Sequence, residues 1–191
     1  MEYLDIVDEQ GIPTGEVIER SIAHELGILH RSSHVWLFRH HHGKLEVLLQ
    51  KRCKDKDSFP GCYDISSAGH IPAGVDFVTS ALRELKEELG VDAAVDDLHF
   101  CGQRRIHYEE VFYGKRFEDN QVSNVYMIFV NQEAKEFVLQ SSELEEVIWI
   151  EFTECVVRVR QNTIQHCIMI EELEILENAL KKVLDLRSLV I

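Results

Sequence analysis

The sequence predicts an α/β domain, either an α/β/α sandwich or an α+β arrangement, and three observations carry that prediction. Short β-like runs recur between residues 2 and 150, one strongly amphipathic run fills residues 77–89, and from Phe152 the pattern turns helical. The 191 residues suffice for one well-cored domain, residues 1–191, with no internal repeat or low-complexity linker to divide it. Inside it, residues 1–30 read as an N-terminal hairpin-and-helix extension and residues 153–191 as a C-terminal helical segment.

The elements follow in order. EYLDIV (2–7) and GEVIER (15–20) are short strands around DEQGIPT, a turn-rich connector, and so predict a β-hairpin. Ser21 is placed to cap a short helix running through Ile22 to Leu26, which Gly27 stops. Residues 35–39 and 45–50 read as paired strands with HHHG between them, so His40, His41 and His42 are expected in a solvated turn rather than around a metal. KRCKDKDSFPG is a polar loop leading to YDISSAGHIPAG, a short strand followed by a glycine-rich loop. Residues 98–103, 105–110, 123–130 and 146–150 are further strands. Beyond them Ile164, Cys167, Ile168, Leu173, Leu176, Leu180 and Leu184 recur mostly at three- and four-residue intervals, the spacing of a helix face.

Bulk composition excludes several functions. Hydrophobic residues make up 45% and charged residues 28%, as in ordinary soluble domains, and no apolar run reaches the roughly 18 residues that span a bilayer. MEYLDIVDEQ lacks the basic and apolar regions of a signal peptide, so a cytoplasmic location is expected. Five scattered cysteines with no CxxC argue for reduced thiols and against a disulfide framework or zinc ribbon. A formal charge of −14 disfavours nucleic acid and anionic membranes as partners. A small phosphorylated ligand stays compatible with that charge, given a local basic cluster or a metal.

The amphipathic run carries the chemistry. Asp76 is an N-cap candidate, Val78, Ala81, Leu82, Leu85 and Leu89 form one apolar stripe, and Gly90 suits the left-handed position that ends a helix. Glu84, Glu87 and Glu88 share a second face by i,i+3 and i,i+4 spacing. They occupy the last two turns, where the helix dipole disfavours each carboxylate by roughly 0.3–1 kcal/mol. Arg83 can offset only one of them, most simply Glu87. A divalent cation reverses the sign, because oxygen ligands are what Mg²⁺ and Mn²⁺ prefer.

GHIPAGVDFVTSALRELKEELGV, residues 69–91, resembles the Nudix box, G-x5-E-x7-R-E-U-x-E-E-x-G-U with U a bulky aliphatic residue. Gly69, Arg83, Glu84, Leu85, Glu87, Glu88, Gly90 and Val91 match, and Val75 stands where the family has its first glutamate. The resemblance implies an α/β/α sandwich around a mixed β-sheet, in which Glu84, Glu87 and Glu88 hold Mg²⁺ or Mn²⁺ with a backbone carbonyl near Ala68 or Gly69. It also implies that Arg83 steadies the glutamates and that Glu87 or Glu88 doubles as catalytic base. The implied activity is metal-dependent hydrolysis of a diphosphate bond in a nucleoside diphosphate derivative.

LLQKRCKDKDSFPGCYDISSAGHIPAG is similar to the same region of isopentenyl-diphosphate isomerases and their nearest hydrolases. By that likeness Arg52 and Lys56 bind the substrate's diphosphate. The isomerase itself is disfavoured, since Ala68 stands at its cysteine position and Asp119 and Gln121 at its later glutamate pair. His24, His30 and His70 match its metal-binding histidines approximately and are expected as framework rather than as a second metal site. A non-catalytic, nucleotide-sensing module is the other alternative, suggested by Val75. SSELEEVIWIEF resembles the family's E-x-x-E-V-x-W segment, with Glu143 and Glu146 on the substrate side and Val147 and Trp149 in the core. The apolar tail from Leu186 to Ile191 is expected either to fold back or to cover a partner subunit in a homodimer.

Overall fold

The structure, a computed structural model, describes residues 1–188, with side chains to residue 183. The side chain of Leu184 and the tail from Leu186 to Ile191 lie outside these described side chains. Strands β1 (Tyr3–Val7) and β2 (Pro13–Glu19) pair antiparallel, as the sequence predicts. Helix α1 (Arg20–Leu26) follows and ends on Gly27, whose φ of 63° is the left-handed C-cap. Its N-cap is Glu19 rather than Ser21, which lies inside the helix and donates its Oγ–H to Glu19 Oε1 at 3.1 Å.

The main sheet has seven strands: β3 (His30–His41), β4 (Lys44–Arg52), β5 (Tyr63–Asp64), β6 (Ser67–His70), β7 (His99–Phe112), β8 (Lys115–Phe129) and β9 (Leu144–Glu151). The path runs β5-β4-β3-β8-β7, with β6 also on β3 and β9 on β4. β3 and β8 are parallel and the other pairs antiparallel, so the sheet is mixed. The runs 98–103 and 105–110 are one continuous strand, joined to β8 through a turn at Tyr113 and Gly114.

Helix α2 (Phe77–Leu89) covers one face; α3 (Phe152–Arg160) and α4 (Ile170–Ser188) cover the other. The C-terminal segment is therefore two helices, broken across residues 161–169. Period-two alternation in β3 builds both cores. Val35 and Leu37 meet Ala81, Leu85 and Leu89 of α2, while Trp36 and Phe38 meet Leu173, Leu176 and Leu180 of α4. Leu85 and Leu89 are fully buried, each worth roughly 1.5–3 kcal/mol. Leu82, read from sequence as part of that stripe, is only half-buried and stands outside the cluster. Asp76 accepts from the Thr79 N–H at 2.9 Å and Gly90 closes α2 at φ 69°, both as expected. The cysteines are free, and no described helix is long and apolar enough to cross a membrane.

Candidate active site

Strand β6 shows its two faces to two clusters of polar side chains. Ser67 and Gly69 face α2, and Ala68 and His70 face the α4 side, by the alternation of any strand. On the first face Glu88, only 5% exposed, accepts from Ser67 Oγ at 2.6 Å and from the Ala68 N–H at 3.2 Å. Burial pushes its carboxyl up to about 8, against these two bonds. Burial likewise pushes Glu84 up to about 7, opposed by Arg83 and aided by Glu87.

Arg83 reaches two glutamates, not one. Its Nη2 donates to Glu84 Oε1 at 2.5 Å and its Nη1 to Glu87 Oε2 at 3.1 Å. The i,i+4 turn brings Glu87 alongside, while Glu84 curls back from the next position toward Gly69. Arg83 Nε is buried with no partner among the described residues. Lys86 pairs with Asp92 away from this face. Arg83 thus ties Glu84 to Glu87, while Glu88 is held separately by Ser67 and the Ala68 N–H; carboxylate oxygens are the donor type a hard divalent metal takes.

Gly69 makes the convergence possible, since a Cβ there would lie 2.2 Å from Glu84 Cδ. The obstruction is a carboxylate at the end of a flexible side chain, so the fold absorbs it by moving Glu84. Gly69→Ala is accordingly expected to shift stability by less than about 1 kcal/mol and, under the function proposed below, in which Glu84 is a metal ligand, to weaken Mn²⁺ affinity about 10- to 100-fold. Denaturation and Mn²⁺ titration of the two proteins measure both effects.

Val75, at the position of the missing glutamate, lies in a tethered loop. Its carbonyl accepts from Arg31 Nη2 at 2.9 Å, and the same nitrogen pairs with Asp5 at 2.7 Å. Asp5 also accepts from the Gly74 N–H at 2.9 Å, so strand β1 holds the approach to α2.

A cavity of about 1430 Å³ opens beside both faces of β6, and Arg52, Lys56, Arg83, Glu84, Glu87 and Glu88 all line it. Arg52 donates to Asp64 at 3.1 Å and to the Ser58 carbonyl and hydroxyl, and Lys56 pairs with Glu143. Both cations therefore face the cavity already partnered. Glu143 lines it too, whereas Glu146 stands apart, accepting from Tyr63 Oη at 2.9 Å and pairing with Lys51. Trp149 packs in the α2-side core under Arg39, as its sequence context predicts.

The three histidines expected as framework come together with an aspartate. His24 from α1, His30 from β3, His70 from β6 and Asp119 from β8 bring their ligating atoms within 4.8 Å of one another. His24 Nδ1–H points to the Glu118 carbonyl at 3.4 Å and His30 Nδ1–H to the Ile28 carbonyl at 2.7 Å. His30 Nε2 is buried without a hydrogen-bond partner among the described residues. His70 Nε2 lies 3.2 Å from the Gln121 amide nitrogen and 3.1 Å from His24 Nε2. Burial lowers the pKa of all three rings, His24 to about 4, so they are neutral and ligand-ready at pH 7. This donor set fits a divalent metal that accepts nitrogen, such as Mn²⁺ or Zn²⁺. Sequence spacing could not show it, because its members come from four elements. The one signal that pointed to it was the likeness of His24, His30 and His70 to the isomerase's metal-binding histidines, with Asp119 at its later glutamate pair.

The β7–β8 hairpin forms the far wall. Tyr113 Oη donates to the Lys56 carbonyl at 3.2 Å, and Phe59, Phe112 and Phe117 cluster beneath it. Cys167 also lines the cavity, its thiol held well above the usual range by burial and Asp64.

The NUDIX domain model matches residues 28–169. An uncharacterized Nudix hydrolase of Clostridium acetobutylicum is 35% identical over 153 residues, covering 80% of this chain and 71% of that protein. Nudix hydrolase 3 of Arabidopsis thaliana is 36% identical over 156 residues, 80% of this chain but only 20% of that longer protein. The crystal structure of DR0079 from Deinococcus radiodurans shares the fold at a TM-score of 0.66 and 18% identity, covering 91% of this chain and 98% of that one. A box helix with Glu84 and Glu88 turned onto β6, inside a matched region spanning most of the sheet, leads to one assignment: the chain belongs to the Nudix family of acid-anhydride hydrolases.

Proposed function

We propose that the protein hydrolyses a diphosphate bond in a nucleoside diphosphate derivative, using Mg²⁺ or Mn²⁺ held by Glu84, Glu87 and Glu88. One observation carries this reading: the α2 carboxylates, Glu88 buried, Glu84 half-buried and Glu87 exposed, line the cavity that Arg52 and Lys56 also line. When bound, the metal supplies charge neutralisation, polarisation of phosphorus and a lowered pKa for coordinated water. The chain's own residues do the rest. Arg83 spaces Glu84 and Glu87, Ser67 and the Ala68 N–H aim Glu88, and Glu87 or Glu88 accepts the proton of the attacking water. Arg52 and Lys56 orient phosphate, releasing part of their hold on Asp64 and Glu143 as it arrives. The cluster of His24, His30, His70 and Asp119 holds a second divalent ion in this reading.

Two features weigh against isomerase chemistry. Ala68 offers a methyl group where a thiol is required, and Cys167, the nearby alternative in the cavity, is kept protonated by burial. The test is incubation with Mg²⁺ or Mn²⁺ and a panel of ADP-ribose, UDP-glucose, nucleoside triphosphates and isopentenyl diphosphate, with products read by mass spectrometry. Cleavage between phosphorus atoms is expected. Proton exchange into isopentenyl diphosphate without cleavage would replace this function with the isomerase, and tight binding without any product would replace it with a sensor.

A further inference from the structure

Four polar side chains that the proposed reaction does not use line the far end of the same cavity. Across the sheet, Arg104 of β7, Ser123 of β8, Ser32 of β3 and His70 of β6 stand in one register row. Ser32 Oγ lies 2.6 Å from Ser123 Oγ and 3.3 Å from His34 Nε2. His34 Nδ1 lies 2.9 and 3.0 Å from the two oxygens of Glu172, in the first turn of α4. Glu172 also accepts from Trp36 Nε1 and Arg104 Nη1, each at 2.8 Å.

This constellation is built and incompletely satisfied. The side chain of Glu172 is 2% exposed and that of Arg104 is 8% exposed, yet both line the cavity. Among the described residues Arg104 has Glu172 as its sole hydrogen-bond partner, and its Nε is buried with none. A donor kept dry and unpaired beside a cavity is placed for an acceptor on a ligand. Charge limits what that ligand can be. Glu172 balances Arg104, so the site has no spare positive charge for a further phosphate. Ile106, next inward on β7, and Met169, just before α4, add apolar contact. The matching group is uncharged and rich in acceptors, such as a sugar ring or the edge of a base.

Position agrees with chemistry. Ser32 and His34 on β3 pair directly with β6, one strand step of about 5 Å, while the Arg104 backbone on β7 is three steps, about 14 Å, away. A sugar or nucleoside joined to a diphosphate beside β6 comes within reach of this row.

We propose that Ser32, His34, Arg104 and Glu172 form a second subsite that binds the neutral, acceptor-bearing part of the substrate while its diphosphate lies beside β6. The proposal rests on the diphosphate reading above. The probes are methylenediphosphonate, the α,β-methylene analogues of ADP-ribose and UDP-glucose, and isopentyl methylenediphosphonate, each titrated calorimetrically in Mg²⁺ without turnover. The wild-type protein is expected to bind the two sugar-bearing probes about tenfold more tightly than the other two. Arg104→Lys keeps the ion pair with Glu172 but loses the fork of donors, and Ser32→Ala, which changes no charge, guards against misfolding of the first variant. Each is expected to lower affinity for the sugar-bearing probes about five- to tenfold and to leave methylenediphosphonate unchanged. An isopentyl probe binding as tightly as the sugar probes, or variants that spare the preference or weaken every probe alike, would overturn the subsite alone. Failure of methylenediphosphonate to bind in Mg²⁺ would overturn the diphosphate reading and the subsite with it.

Discussion

Glu88→Gln is expected to lower turnover by about 10²–10⁴ while leaving the metal-free fold intact. The amide keeps an oxygen to accept from Ser67 Oγ and the Ala68 N–H, so the buried bonds survive. What is lost is the negative charge that a cation needs and the capacity to take a proton from water. Stability moves the other way, with a sign that follows from burial. Glu88 titrates at about 8 in the folded protein against an ordinary 4.5. Between those values the folded chain still holds a proton that the unfolded chain has released. Metal-free wild-type stability therefore falls as pH rises through about 4.5 to 8 and levels off above, by an order of a few kcal/mol. Glu84, raised to about 7, adds to the same slope. Denaturant midpoints across this range are expected to show the slope in wild type and a reduced one in Glu88→Gln. Added Mn²⁺ is expected to reverse the wild-type decline above pH 7, because it binds the ionised carboxylates. Equal turnover in the variant would remove Glu88 from the chemistry, and equal slopes would remove the buried-acid account.

Glu172→Ala is expected to cost about 3–5 kcal/mol, a large part of any domain's stability. The carboxylate accepts from His34, Trp36 and Arg104, and truncation leaves the Arg104 charge buried without its counter-ion. These bonds hold its pKa below the usual range despite complete burial, His34 contributing most among them. Chemical denaturation measures the loss. Glu172→Gln, which keeps an acceptor for Trp36, is expected to lose less than the alanine variant. A cost under about 1 kcal/mol for alanine would mean that water enters and replaces the carboxylate.

The elements that sequence made legible are those whose pattern one element enforces by itself. In α2 the apolar stripe of Ala81, Leu85 and Leu89, the cap at Asp76 and the stop at Gly90 all obey local helix geometry. Two of the strand misses share one cause. Residues 98–103 and 105–110 read as two strands because Arg104 interrupts the pattern, yet Arg104 is the residue that turns inward to Glu172. The segment around 116–121 did not read as strand at all, since Asp119 and Gln121 are polar where a core would be apolar. They are buried beside the histidines instead. Polar side chains facing a site defeat the period-two signal where function departs from simple packing.

From its sequence alone, the chain determined the helix that carries Glu84, Glu87 and Glu88 and the family to which it belongs, because fixed helical spacing places those carboxylates on one face whatever surrounds them. Tertiary structure decided how closely His24, His30, His70 and Asp119, matched in sequence only through the isomerase likeness, come together, and it alone decided that Glu172 meets His34 across 138 residues. Sheet register and the docking of α1 and α4 set those distances. Neither is encoded in the spacing of residues along the chain.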